Sequence, residues 1–196
     1  MSDFDDSRLE DRGALAAADH LLRPLAEAGA RVRREAASAE LPLSGLDLDD
    51  RPRAMIIFGP EARLLRAVLE PICPVPLVAW PRLGLPGWVG PLDLVVVMGG
   101  GDKTSLAAAF EAVRRGCRLL VVSPPDSLLA RQSASASTTL LPTTTGDPLA
   151  AAIVALGALH RLGLGPQVNP ESVASAMDQV AMDCSLTIDA TQNPAK

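Results

Sequence analysis

Seven consecutive residues, Gly99-Gly100-Gly101-Asp102-Lys103-Thr104-Ser105, concentrate the chemistry of an anion site. They follow a continuous apolar run, Leu92 to Met98, and open an amphipathic stretch, Thr104 to Arg115. Three glycines let the backbone turn sharply and come close to a ligand. The start of a helix presents unpaired N–H groups and the positive end of its dipole. Thr104 and Ser105 add hydroxyl donors, and Lys103 adds a charge. A second bend, Gly59-Pro60-Glu61, ends another apolar run, Ala54 to Phe58.

Two familiar phosphate motifs do not fit. A P-loop needs glycine directly before the lysine and again five residues earlier; Asp102 and Val97 stand there. Gly99-x-Gly101-x-x-Thr104 lacks the last glycine of a dinucleotide fingerprint, and the next strand ends at Val122-Ser123 without a ribose-holding acid. His160 reads as a packed or capping residue and His20 as a solvated one. Ser133 to Thr145 is hydroxyl-rich and reads as a polar loop around an edge strand. No Ser/His/Asp set has recognisable order or spacing.

The elements that position the bends alternate regularly. Short apolar strands are expected at 54–58, 75–80, 92–98, 118–122 and, more weakly, 138–141. Helices are expected at 61–69, 104–115, 126–132 and 148–161, the last opened by Asp147-Pro148 and stopped by Gly163 to Gly165. Strands apolar throughout, alternating with helices, indicate a parallel sheet covered on both faces. The expected fold is α/β: a doubly wound, Rossmann-like or flavodoxin-like, five-stranded parallel sheet with an N-terminal helical extension. In a 2-1-3-4-5 strand order, the bends after the first and third strands lie side by side, where such sheets bind ligands. Residues 8–39 read as one helix kinked or divided at Pro24, and 41–53 as a polar connector. A further helix begins near Pro170-Glu171 and then loses periodicity.

Composition excludes several classes. The chain has 196 residues, 48% of them apolar, and a net charge of −5. A chain of this length buries roughly 70% of its unfolded surface, so stability needs no disulfide and no metal. The arginine clusters Arg51/Arg53, Arg63/Arg66 and Arg114/Arg115/Arg118 lack interleaved aromatics, so no nucleic-acid partner is expected. Cys73, Cys117 and Cys184 form neither a disulfide framework nor a zinc set. The acidic start, Met1 to Asp6, is no signal peptide, and the longest apolar run, about 149–159, is too short for a bilayer. A cytoplasmic protein without a membrane partner is expected.

The order of segments resembles a known family. Pro74-Val75-Pro76-Leu77-Val78-Ala79-Trp80, then Leu85-Pro86-Gly87-Trp88-Val89-Gly90-Pro91, then the strand to Met98, is similar to the first half of bifunctional phosphoglucose/phosphomannose isomerases. These are built from two sugar isomerase (SIS) domains. Arg114-Arg115-Gly116, the strand Arg118 to Val122, and Asn193-Pro194-Ala195-Lys196 at the junction continue the likeness over nearly the whole chain. The resemblance implies an N-terminal segment over 1–49, an SIS domain over 50–165, and over 166–196 the start of a linker to a second SIS domain.

It also implies a sugar-phosphate ligand held by Gly99, Gly100, Gly101, Lys103, Thr104 and Ser105, with Gly59 and Arg63 beside them. Here the family's S-x-S-G-N-T loop has glycines in place of serines, and its longer G-x-G-G-S bend is reduced to Gly59-Pro60-Glu61-Ala62-Arg63. The family interconverts hexose 6-phosphates by moving a proton between C1 and C2, with no metal or other cofactor. Its base glutamate and ring-opening histidine belong to the second SIS domain, so no catalytic residue is assigned in this chain. A non-catalytic sugar-phosphate sensor or scaffold subunit is the alternative. A second copy or a second SIS domain is the expected partner, since one such domain leaves apolar helix faces for its twin.

Overall fold

The computed structural model describes residues 6–47 and 50–196. The first five residues of the acidic start, and Leu48 and Asp49 of the expected connector, lie outside them. Five strands form one parallel sheet: β1 (Met55–Phe58), β2 (Leu77–Ala79), β3 (Leu94–Met98), β4 (Arg118–Ser123) and β5 (Thr138–Pro142). Their order is β2-β1-β3-β4-β5, every pair parallel, as the alternating pattern implied. The helices are α1 (Arg12–Ala26), α2 (Ala28–Ser44), α3 (Ala62–Leu69), α4 (Lys103–Arg114), α5 (Leu128–Gln132), α6 (Pro148–Arg161) and α7 (Pro170–Asp183).

The sheet explains its own sequence. Met55, Ile57, Val96, Met98, Leu120 and Val122 point to one face, where Leu65 and Leu69 of α3 and Ala155 and Leu159 of α6 cover them. Ile56, Phe58, Val95, Val97, Leu119 and Val121 point to the other, under Ala108 and Ala112 of α4 and Leu129 of α5. Because both faces are buried, the central strands read as unbroken apolar runs. Leu85 and Val89, from the Gly/Pro-rich segment after β2, complete that second core.

The chain divides into two compact units. One, Arg34–Val168, contains the sheet and the helices around it. The other comprises α1, the start of α2, and Asn169–Lys196. In that unit Arg33 binds Glu171 in a fork (2.9 and 2.8 Å) and Asp178 at 2.7 Å, tying the start of α2 to α7. Those carboxylates push the Arg33 guanidinium pKa upward, Glu171 most.

Three helix boundaries differ from the periodicity. The 8–39 stretch is a 3-10 turn at Asp6–Leu9 followed by two helices, and the break falls at Glu27, not at Pro24, which sits inside α1. α2 continues into the expected connector, ending at Ser44 with Pro42 in its last turn, where a missing N–H removes only one intrahelical bond. α7 runs as a full helix to Asp183. Among the described residues, no helix is long and apolar enough to cross a membrane.

Candidate functional site at the carboxyl edge of the sheet

The bends after β1 and β3 meet, as the strand order requires. Phe58 pairs with Val97, so Gly59 arrives beside Met98. A Cβ on Gly59 would stand 2.7 Å from the Met98 carbonyl oxygen, and the φ of +122° is one that side chains avoid. One turn further, a Cβ on Gly99 would lie 3.9 Å from the Pro60 ring. A Cβ on Gly101, also at φ +122°, would stand 3.3 Å from Leu128 Cβ and from the Leu129 amide nitrogen of α5. Gly100 is exposed, with open space where a side chain would go.

The start of α4 is not the open anion site its sequence suggested. The Asp102 carboxylate accepts hydrogen bonds from the amides of Thr104 (3.0 Å) and Ser105 (3.1 Å), two of the donors at the start of the helix. Partial burial alone would raise the Asp102 pKa, but the bonds from Ser105 and Thr104 outweigh it and hold the acid below its ordinary value. The Ser105 hydroxyl is buried and donates to the Met98 carbonyl at 3.4 Å, inside the fold. Lys103 is exposed, and Thr104 is half-buried. A phosphate at this bend therefore meets a carboxylate already seated on its donors.

α3 is different. Its N-cap residue is Glu61, whose side chain makes no capping bond. Next to this uncapped end lies an open groove of about 630 Å³, lined by Gly59, Pro60, Arg63, Arg66, Glu70 and Trp80 among others. Its size is that of a small-molecule site. Arg66 forks onto Glu70 at 3.1 and 2.9 Å, one turn along the helix. Arg63 is exposed and has no carboxylate partner among the described residues. Trp80 stands where β2 ends, its amide donating to the Ile57 carbonyl (3.0 Å). Its indole nitrogen is fully buried without a hydrogen-bond partner, the one such side-chain atom among the described residues.

Of the residues singled out in the sequence, Gly59 and Arg63 line this groove; Gly99, Gly100, Gly101, Lys103, Thr104 and Ser105 belong to the neighbouring bend. Sequence reasoning missed Trp80 and Arg66 as groove residues. It also missed Glu61, whose pKa is raised by burial first and then by the charge of Asp147. The hydroxyl-rich stretch is largely consumed by structure. Ser133 Oγ donates to the Leu129 carbonyl (2.7 Å), and Ser135 and Thr138 share a hydrogen bond at 2.7 Å.

Thr144 and Thr145 enclose Glu35 of α2, a fully buried carboxylate. It accepts from the Thr144 amide (2.8 Å), the Thr145 hydroxyl (2.6 Å) and the Thr145 amide. His160, exposed near the end of α6, has its Nδ1 3.4 Å from the carbonyl of Gly165 beyond the helix. Among the described residues no cluster of His, Cys, Asp and Glu could hold a metal ion.

The Leu85-Pro91 segment is held from both ends. Arg115 donates to the carbonyls of Pro86 (2.7 Å) and Val89 (3.2 Å) and pairs with Glu111 at 2.6 Å. Fully buried Asp93 accepts from Arg53 (2.6 Å) and from the Gly90 amide (2.8 Å).

No protein-family model matches the sequence, and no curated protein does. Solved structures do match. A candidate phosphosugar isomerase from Silicibacter pomeroyi DSS-3 superposes with a TM-score of 0.58 at 15% identity, over 82% of this chain and 54% of that one. Another, from Bacillus subtilis, gives 0.51 at 15% identity, over 74% of this chain and 49% of that one. The chain spans about half the length of these two structures. At that identity the likeness is one of fold: an α/β protein with a five-stranded parallel sheet and flanking helices, the architecture these candidate isomerases share.

Proposed function

We propose that this chain is a sugar-phosphate-binding SIS domain, acting in aldose–ketose isomerisation of hexose 6-phosphates. The carrying observation is the meeting of two glycine bends at the carboxyl edge of a 2-1-3-4-5 parallel sheet, beside a groove that contains an arginine free of carboxylates. Ligands of doubly wound sheets bind at this edge, where the strand order reverses. A guanidinium offers a forked set of donors suited to a phosphoryl group. The proposed reaction moves a proton between C1 and C2 of the open-chain sugar through an enediolate, which needs a carboxylate base and stabilising donors. In this reading the domain holds the phosphate end, and a second SIS domain, in the same polypeptide or in a second copy, supplies the base and the ring-opening acid.

A specific observation favours a second reading, a non-catalytic sugar-phosphate sensor or scaffold. Asp102 occupies the amides that the family's phosphate loop leaves for its ligand. Calorimetric titration with fructose 6-phosphate, together with a coupled assay of glucose 6-phosphate and mannose 6-phosphate conversion, separates the two. Binding with turnover supports the isomerase, binding without turnover supports the sensor, and no heat at millimolar ligand removes both binding readings and leaves a scaffold.

A further inference from the structure

We draw no further inference here: the strongest candidate, the apolar surface patch of Leu106, Phe110 and Val113 on the outer side of α4 with Leu128 of α5 beside it, carries nothing because nothing in the structure shows what covers it.

Discussion

The carbonyl oxygen of Met98 lies 2.7 Å from the point where a Cβ on Gly59 would stand, so the bends after β1 and β3 are built against each other. Gly59→Ala therefore meets a backbone atom and an unfavourable φ together. We expect it to cost roughly 2–4 kcal/mol. Gly100→Ala, which meets nothing within 4 Å, is expected to stay within about 0.5 kcal/mol of the parent. Urea unfolding of the two variants checks the contrast, and equal losses would contradict the described geometry.

Glu35 anchors the loop after β5 from a distance of more than a hundred residues in sequence. Replacing it by alanine strips the Thr144 and Thr145 amides of their acceptor inside the fold. The expected loss is roughly 2–4 kcal/mol. Hydrogen exchange should then show those two amides losing protection before the strands do. A loss below about 0.5 kcal/mol would mean that water replaces the carboxylate without cost.

The Asp102 cap makes a pH-dependent contribution whose sign is fixed. Its pKa in the folded chain is below the unfolded value, so the stabilisation is complete above the unfolded carboxylate range and is lost as pH falls through the lowered value. Asp102→Ala should cost about 1 kcal/mol at neutral pH, the usual worth of an N-cap. The difference from wild type should fade under acid conditions. A gap that persists undiminished at low pH would show that the loss comes from something other than the ionised cap.

Glu61 titrates in the opposite sense. Burial first, and Asp147 second, raise its pKa, so its ionisation opposes folding above the raised value and ceases to matter once pH falls below the unfolded one. Glu61→Gln is expected to stabilise the chain at neutral pH and to match wild type in acid. Thermal melts across that range check the sign, and a variant less stable than wild type at neutral pH would refute it.

The strands and both glycine bends were legible because their signals are local. Ile56 and Ile57 serve opposite cores, and a run with no polar face can only be a strand covered twice. Even the Asp102 cap has a local sign, an aspartate directly ahead of an amphipathic helix, overshadowed here by the glycines before it. Long-range pairings left no such mark. Nothing near Glu35 announces that its carboxylate enters a loop beyond position 140, and nothing near Trp80 announces that it borders the same groove as Arg63. The helix break at Glu27 was misplaced because Pro24 is a strong local signal that α1 absorbs in its last turn.

The central claim is that a sugar phosphate binds at this edge of the sheet. The most direct measurement is an amide chemical-shift map of the 196-residue chain titrated with fructose 6-phosphate. The account predicts saturable shifts at Gly59, Ala62 and Arg63, with the amides at the opposite end of the strands, near Met55 and Leu94, unmoved. Spectra that stay superimposable at millimolar ligand, or shifts confined to that opposite end, would contradict it.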